Sequence, residues 1–311
     1  MPYDSILDTI GNTPLVEVPS LSPKKDVRLY VKLEGQNPTG SLKDRMARYM
    51  VERAERRGEL TPGRILLEPT SGNTGISLAM ICQRKGYKLV AVMRENIELE
   101  RQQLLQAFDA GMVLTDAAKG TNGAIDVAKQ MAAEDPRYFM LMQYENPANP
   151  LAHYDTTGPE ILAEVPDVDV FVAGMGTGGT IMGVGRRLKE RNPSVKVVGV
   201  EPHAGDPVAG LRSLDQGYVP PIVDTGMLDG RALVHSRDAN LVTQRLLQEE
   251  GIFAGPSSGA VVFAARRIAE RMDRGKIVCL LADGGWKYLS TRLYETPVEA
   301  SEGPLEGHFS W

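Results

Sequence analysis

Cysteine and histidine are scarce in this sequence, and it contains no long apolar run. The 311 residues include 2 cysteines, Cys82 and Cys279, each inside an apolar segment typical of a small buried hydrophobe. Two cysteines cannot build a disulfide framework or a four-cysteine zinc site. No run of about 18 apolar residues predicts a membrane-spanning helix. No metal site is expected either, because the histidines are scattered without ligand spacing: His153, His203, His235 and His308.

Charge is dispersed along the chain rather than concentrated. The formal net charge is −5 and no basic run exceeds three residues, which argues against a nucleic-acid-binding surface. Residues 1–5 show no basic segment followed by an apolar stretch, so we expect no signal peptide and a cytoplasmic location. With 42% hydrophobic and 24% charged residues, the chain can form one large domain or two of ordinary size.

Strand-like and helix-like segments alternate from about residue 60. Apolar, β-branched segments predict strands at 64–68, 88–93, 112–115, 168–173, 197–200 and 277–280. Helical periodicity predicts helices at 75–85, 98–108 and 122–133. Apolar strands that alternate with helices are typical of an α/β fold with parallel sheets covered on both faces. Pro147, Pro150 and Pro159 mark an expected crossing between two lobes.

Lys43 begins a helix-patterned stretch that runs to about Gly58. The N-terminus of a helix carries partial positive charge, so a lysine in its first turn should lose its proton more readily than a surface lysine. A neutral amine can form an imine with an aldehyde cofactor such as pyridoxal phosphate. A lone lysine is more often an ordinary solvated residue, so the interpretation depends on the segments that accompany it.

Three glycine-rich segments stand where a strand gives way to a helix. They span residues 70–75, 174–180 and 255–259, the last before a helix predicted over 260–272. Glycine lets a ligand approach the backbone, and the free N–H groups of a helix start bind anions. The same residue types cap ordinary helices, so the first and third segments alone are ambiguous. The second is poorly explained as a plain turn, because so many glycines cost backbone entropy.

The second segment also matches a motif of a different chemistry. Gly174, Gly176 and Gly179 fit a dinucleotide fingerprint, with Glu201 after the next strand as the ribose-binding acid. That interpretation predicts a nicotinamide-dependent dehydrogenase. It leaves Lys43 and the segment at 70–75 without a role.

The third segment offers another alternative. Ser257 between Gly255 and Gly259 fits the nucleophile elbow of α/β hydrolases, and Asp283 and His308 follow in triad order. The whole triad would then lie near the C-terminus, which leaves little chain to build the sheet that such a triad needs. Both motifs are weak alone, and only a pyridoxal-phosphate enzyme uses Lys43 together with all three segments.

Taken together, the motifs resemble the B-type synthases of the cysteine synthase family of pyridoxal-phosphate enzymes. The similarity runs nearly end to end, over residues 10–15, 37–45, 70–75, 143–149, 157–160, 176–180 and 286–291. It implies the tryptophan-synthase-β-like fold (fold type II), with two open parallel-sheet lobes and the cofactor between them. A smaller, mobile substrate-binding lobe is expected at 45–145. A larger pyridoxal-phosphate-binding lobe is expected from 1–44 with 146–311, and the resemblance implies a homodimer.

The resemblance also implies a role for each matching residue. Lys43 is expected to be the catalytic residue and to hold the cofactor as a Schiff base. The other cofactor-binding residues implied are Asn73 for the 3′ oxygen, the phosphate cradle Gly176, Thr177, Gly178, Gly179 and Thr180, and Ser257 for the pyridine nitrogen. The substrate-binding residues implied are Thr70, Ser71, Thr74, Gln143 and Arg212.

The implied reaction is β-replacement that makes L-cysteine, or S-sulfocysteine, through an α-aminoacrylate intermediate. The activated serine could be O-acetylserine or O-phosphoserine, and the sulfur source sulfide, thiosulfate or a thiocarboxylate carrier protein. Arg212 would bind an anionic group, since arginine is the best bidentate partner of phosphate. A serine/threonine dehydratase and a cystathionine β-synthase-like enzyme remain as alternatives on the same fold. The aromatic C-terminus, Phe309 and Trp311, is expected to fray or to dock.

Overall fold

The computed structural model describes residues 2–70, 72–216, 218–295, 297 and 303–310. The strands in these ranges are β1 (Leu15–Glu17), β2 (Val27–Leu33), β3 (Ile65–Pro69), β4 (Lys88–Arg94), β5 (Gly111–Thr115), β6 (Tyr138–Met140), β7 (Val170–Gly174), β8 (Lys196–Pro202), β9 (Gly230–Val234), β10 (Gly275–Leu281) and β11 (Glu306–Phe309). The helices are α1 (Lys43–Arg56), α2 (Asn73–Lys85), α3 (Leu99–Ala107), α4 (Gly120–Glu134), α5 (Ala148–Asp155), α6 (Thr157–Glu164), α7 (Gly179–Arg191), α8 (Ser236–Glu250) and α9 (Pro256–Glu270). Every predicted strand and helix exists, with ends that differ by a few residues.

The strands form two separate sheets. The larger has the order β1-β2-β10-β7-β8-β9-β11, with a parallel interior and antiparallel strands at both edges. The smaller has the order β5-β4-β3-β6 and is parallel throughout. This confirms the predicted α/β fold with two parallel-sheet lobes. All strands of the small sheet fall within residues 45–145, and all strands of the large sheet fall outside that range.

Alternate residues of the central strands belong to different hydrophobic cores. In β10, Ile277 and Cys279 join the core on one face of the large sheet, whereas Val278 and Leu280 join the core on the other. Side chains along a strand point to opposite faces, so continuous apolar strands require helices on both sides. Cys279, like Cys82, is a buried free thiol, as expected from its apolar segment.

Several helices begin earlier than their patterns predict. The third glycine-rich segment is not a loop before a helix: α9 begins at Pro256, so Ser257 lies in its first turn. Proline is tolerated there because the first N–H groups of a helix have no partner within the helix. For the same reason the prolines expected to mark a crossing between lobes lie at or near the starts of α5 and α6.

The C-terminal segment docks on the large sheet. Strand β11 pairs in antiparallel register with β9, and Phe309 packs against the core beside that sheet. Trp311 lies outside the described residues. Across the part of the chain that the structure describes, no helix combines the length and the apolar character needed to cross a membrane.

Candidate active site

A cavity of about 610 Å³ lies at the carboxyl ends of strands from both sheets. Thr70 follows β3, Gly174 ends β7, and Asp283 follows β10 by two residues, and all three line the cavity. Open α/β sheets bind ligands at this end, where the connecting loops diverge. The cavity therefore lies where the fold favours a binding site.

Three helices point their N-termini toward this cavity with glycine as the N-cap residue. Gly72 caps α2, Gly178 caps α7 and Gly255 caps α9. Glycine has no side chain that could occupy the positive end of the helix, so the first backbone N–H groups can serve a ligand. Asn73 and Ser257, in the first turns of α2 and α9, line the cavity. This arrangement favours a ligand with several negative or electron-rich groups.

Lys43 is the first residue of α1 and lines the same cavity. Burial among protein atoms lowers the pKa of its amine to about 8, while the nearby charge of Asp283 opposes that shift. The direction agrees with the sequence-based expectation, but the main cause is desolvation rather than the helix dipole. A substantial fraction of the Lys43 amine is therefore neutral near pH 8.

The glycines between β7 and α7 are required by close packing. Gly178 has a φ of +85°, and a Cβ there would lie 2.2 Å from a methyl group of Val223. A Cβ on Gly179 would lie 1.9 Å from the side-chain oxygen of Asn149. Of the predicted phosphate cradle, Gly179 packs behind the loop, and the remaining four residues line the cavity: Gly176, Thr177, Gly178 and Thr180.

Asn73 is held at both ends of its amide group. Its Nδ2 donates to Asp283 at 2.6 Å, and its Oδ1 accepts a hydrogen bond from Lys287 Nζ at 2.7 Å. Tyr288 donates to the same Asp283 oxygen at 2.8 Å. One hydrogen of the Asn73 amide remains for a ligand oxygen. The role of Lys287 was not predicted from the sequence, where its one signal was its place in the family motif at 286–291.

The expected carboxylate-binding residues lie together at the start of α2. Thr74 Oγ1 donates to Gln143 Oε1 at 2.7 Å, and Gln143 Nε2 donates to the carbonyl of Pro69 at 3.2 Å. Thr70 and Thr74 line the cavity with Gln143. Ser71, expected in the same set, lies outside the described residues.

Glu68 supports this loop from below and was not anticipated as functional. Its two carboxylate oxygens accept the backbone N–H groups of Met142 and Gln143, each at 2.9 Å. The side chain is fully buried, and burial raises its pKa to about 7 despite these hydrogen bonds. The carboxylate thereby fixes the backbone that carries Gln143.

Arg212 lines the cavity with its guanidinium near two aromatic rings. Its guanidinium lies 5.2 Å from the ring centre of Tyr144 and 5.1 Å from that of Tyr218. Among the described residues it forms no ion pair with a carboxylate. The two rings are 6.1 Å apart and nearly perpendicular, at 82°, so the guanidinium lies near both without being sandwiched between them.

The two alternative chemistries are not assembled. Glu201 is buried, accepts the N–H of Leu214 at 2.7 Å and pairs with Arg231 at 2.6 Å, so its oxygens serve the fold rather than a ribose. His308 is exposed on β11 opposite Arg231, and it is not among the described residues that line the cavity with Ser257 and Asp283. Neither a dinucleotide site nor a hydrolase triad is therefore supported.

The residues that line the cavity fit pyridoxal phosphate. A buried amine with a lowered pKa suits an aldehyde, and the glycine-rich start of α7 suits a phosphate. Asn73 and Ser257 supply polar groups for the ring oxygen and nitrogen. Groups suited to the aldehyde, the phosphate and the ring of this cofactor thus line one cavity.

Comparison with known proteins agrees with this geometry. A family model described as "Pyridoxal-phosphate dependent enzyme" matches residues 6–283. The cysteine synthase of Staphylococcus aureus is 44% identical over 303 residues, which cover 94% of this chain and 97% of that protein. Cysteine synthase B of Pseudomonas aeruginosa is 44% identical over 294 residues, covering 94% of this chain and 98% of that protein.

A solved structure shows the same fold. The crystal structure of cysteine synthase from Entamoeba histolytica aligns with a TM-score of 0.91 at 35% identity, over 97% of this chain and 93% of that one. The chain therefore belongs to the cysteine synthase family of pyridoxal-phosphate dependent enzymes.

Proposed function

We propose that this transferase makes L-cysteine, or S-sulfocysteine, by β-replacement on an activated serine, and that Arg212 binds an anionic group of the serine or of the sulfur donor. The observation that carries the second part is the position of Arg212. Arg212 lines the cavity with its guanidinium near the rings of Tyr144 and Tyr218, and the described residues give it no carboxylate partner. A guanidinium without a carboxylate partner can form charge-assisted hydrogen bonds with an anionic ligand.

Lys43 is the residue that we propose for cofactor attachment and proton transfer. Pyridoxal phosphate, when bound, supplies an aldehyde and an electron-withdrawing ring. An amine whose pKa is about 8 can take the proton from the substrate Cα and return it at neutral pH. Ser257 presents a hydroxyl rather than a carboxylate, so it does not hold a positive charge on a ring nitrogen. That choice favours loss of the β-substituent over transamination.

Substrate orientation is assigned to the start of α2. We propose that Thr70, Thr74 and Gln143, with Ser71, bind the α-carboxylate of the substrate. The positive end of α2 and the Thr74–Gln143 hydrogen bond support this assignment. Glu68 accepts the N–H of Gln143 at 2.9 Å and so fixes the backbone that carries the Gln143 side chain.

The charge of the cavity also favours an anionic substrate. Among the described residues, two carboxylates line it, Glu98 and Asp283. The lining has five cationic side chains: Lys43, Arg94, Arg101, Lys119 and Arg212. A surplus of positive charge in a concave site attracts anions such as O-phosphoserine, thiosulfate or the carboxyl end of a sulfur-carrier protein.

The family resemblance supports a proposal for the location and assembly of the enzyme. We propose a cytoplasmic homodimer with small-molecule substrates. The two buried free thiols suit a reducing compartment. Sedimentation of the purified enzyme tests the assembly, which should give twice the chain mass of 33.9 kDa.

The experiment compares two activated serines on purified holoenzyme. O-Phosphoserine and O-acetylserine are added separately, and the visible absorption of the bound cofactor is followed. Cysteine formation is then measured with sulfide and with thiosulfate. A spectral change and turnover with either serine support β-replacement. A protein that takes up no pyridoxal phosphate, or that turns over neither serine, contradicts it.

The Arg212→Ala variant tests the anion assignment separately. We expect the KM for the charged substrate to rise roughly 10- to 100-fold, because a hydrogen bond to a charged group contributes about 1.5–3 kcal/mol. The KM for O-acetylserine with sulfide should change little. Arg191→Ala, an exposed arginine at the end of α7, is the matched control. Equal effects on both substrate pairs would remove the assignment of Arg212 and leave β-replacement intact.

A further inference from the structure

A second group of polar side chains lies on the large sheet, outside the described lining of the cavity. It consists of His203, His235 and Glu306, with Asp206 beside them. One ligand atom from each of the first three lies within 4.8 Å of the others. These residues are far apart in sequence, so only the fold brings them together.

The sheet register explains why the two histidines meet. His203 follows β8 and His235 follows β9, and the last residues of these parallel strands, Pro202 and Val234, are register partners. The two imidazole rings stack with their centres 3.8 Å apart and their planes 8° from parallel, so one ring must turn out of the stack before both can direct an in-plane lone pair at one ion. Glu306 joins them from the first position of β11, the antiparallel edge strand.

Hydrogen bonding fixes which nitrogen of His235 is available. Its Nδ1 lies 3.0 Å from Asp206 Oδ2, and a carboxylate only accepts, so this nitrogen carries the hydrogen. In neutral His235 the lone pair is therefore on Nε2. Metal-bound histidines commonly donate their other N–H to a carboxylate, which orients the ring and makes the ligand nitrogen more basic.

His203 supplies the second nitrogen. Its Nε2 is buried, has no hydrogen-bond partner among the described residues, and lies 3.6 Å from Glu306 Oε2. That distance is too long for a hydrogen bond but suits two ligands of one ion, since bonds of about 2.0–2.1 Å in tetrahedral zinc sites separate ligand atoms by roughly 3.4 Å. The Glu306 side chain is 51% exposed, so it can rotate to close the remaining gaps.

We infer that His203, His235 and Glu306 bind one divalent transition-metal ion of the Zn²⁺ class, with Asp206 orienting His235. Two imidazoles and one carboxylate are a ligand set that Zn²⁺ accepts, with water in the fourth position. The ion fastens β11 to the ends of β8 and β9. Asp206, which orients His235, directly precedes residues 207–213 of the active-site cavity lining. An ion held beside Asp206 therefore also steadies that segment.

The test measures Zn²⁺ binding to holoenzyme that has been dialysed against a chelator. Zn²⁺ is titrated against a competing indicator for the wild type and the variants His235→Ala, Glu306→Gln and Asp206→Asn. We expect one ion per chain in the wild type and at least about a hundredfold weaker binding after His235→Ala. Asp206→Asn should weaken binding about 10- to 100-fold, as loss of such orienting partners does.

The matched control is His308→Ala, an exposed histidine on the same strand as Glu306. It should bind Zn²⁺ like the wild type. Amide hydrogen exchange gives the second readout: Zn²⁺ should slow exchange in β11 of the wild type and of His308→Ala, but not of Glu306→Gln. Glu306 is exposed, so Glu306→Gln should fold normally. It therefore tests the metal site even if His235→Ala is unstable. Equal Zn²⁺ affinity in all variants, or unchanged exchange in β11, would overturn the inference.

Discussion

Two lysines share one carboxylate beside the active-site cavity. The charge of Asp283 acts on both Lys43 and Lys287, yet burial lowers the pKa of each amine to about 8. Lys43 lines the cavity, whereas Lys287 is fully buried and donates to Asn73. One lysine is therefore available to react, and the other positions the amide that faces the ligand.

The lowered pKa of Lys43 predicts how the enzyme takes up its cofactor. Only the neutral amine reacts with an aldehyde, and desolvation makes the amine lose its proton as the pH rises through about 8. The rate of pyridoxal phosphate uptake by apoenzyme should rise to about pH 8 and then level off. Asp283→Asn should move this midpoint to lower pH, because it removes the charge that favours the protonated amine.

Stopped-flow absorbance measures the uptake rate, and Lys43→Ala, which should stay colourless, is the control. A midpoint near the ordinary lysine pKa of about 10.4 would contradict the prediction.

Glu68 predicts a second pH dependence. Above pH 7 its carboxylate is ionised and both oxygens accept the N–H groups of Met142 and Gln143. Below pH 7 one carboxyl oxygen carries a proton, which faces a backbone N–H group that needs an acceptor. One hydrogen bond is therefore lost, and the loop that carries Gln143 loosens. We expect kcat/KM for the activated serine to fall as the pH drops below about 7. Glu68→Gln should lower kcat/KM about tenfold, because an amide has only one acceptor oxygen for two donors.

Profiles of kcat/KM against pH for the wild type and for Glu68→Gln test this prediction. Glu68→Gln should lose the acidic decline near pH 7, because it has no carboxylate to protonate. Glu145→Gln, an exposed residue of the same loop, is the control and should behave like the wild type. An unchanged acidic limb in Glu68→Gln would assign that limb to another group.

At the scale of elements, the close crossing of α5 and α7 places the phosphate cradle. A Cβ on Gly183 of α7 would lie 2.1 Å from the backbone carbonyl of Pro150 and 2.9 Å from Cβ of His153. Backbone cannot move aside as a side chain can. Glycine at 183 therefore allows a contact that fixes the first turn of α7 relative to the rest of the cavity.

Gly183→Ala should separate these helices. We expect a loss of about 1–3 kcal/mol in the free energy of unfolding, as for other overpacked sites, and weaker binding of pyridoxal phosphate. Gly185→Ala, on the same helix, is the control: its Cβ would meet only side-chain atoms of Met227 and Val197 at 3.0 Å, which can shift. Urea unfolding and cofactor titration measure both effects. Equal losses in the two variants would show that the carbonyl of Pro150 is not the cause.

Elements were more predictable from sequence than were contacts between them. Apolar strands such as β4 and β10 are recognisable because both faces are buried, so their central residues are apolar on both sides. The starts of α7 and α9 were placed too late, because Gly179 and Ser257 look like loop residues while lying in the first turn. First-turn residues do not need helix propensity when their N–H groups serve a ligand.

Contacts set by sheet register left no local signal. His203 and His235 meet because β8 and β9 end together, which no spacing along the chain reveals. The expectation that the histidines are scattered holds along the sequence but not in space. Glu68 likewise looks like a strand residue and shows its role only through the loop that it binds.

At the scale of the whole molecule, a buried ion network joins the chain segments on either side of the expected lobe boundary. Arg45, just after that boundary, pairs with Glu34 at 2.7 Å and with Glu160 at 2.6 Å. Lys32 adds a second cation at 2.9 Å from Glu160. The two-sheet architecture, which matches fold type II, thus has a charged connection beside α1, the helix that carries Lys43.

Acid should weaken the molecule through this network. Burial alone would raise the pKa of Glu160, but hydrogen bonds and charge from Arg45 and Lys32 outweigh it and lower the pKa to about 2. A carboxyl group with a lowered folded-state pKa stabilises the fold above its unfolded pKa of about 4.3, and that contribution is lost as the pH falls toward 2. Stability should therefore decline steeply over that range.

Glu160→Gln tests this expectation. At pH 7 it should cost about 3 kcal/mol, because removing one partner leaves the charge of Arg45 poorly compensated, and its stability should fall less steeply between pH 4.3 and 2. Urea midpoints measured across that range give both quantities. Glu190→Gln, at an exposed surface pair with Arg186, is the control and should follow the wild type. Parallel curves of stability against pH for wild type and Glu160→Gln would mean that acid destabilises the fold through other groups. The network would then contribute rigidity near Lys43 rather than pH-dependent stability.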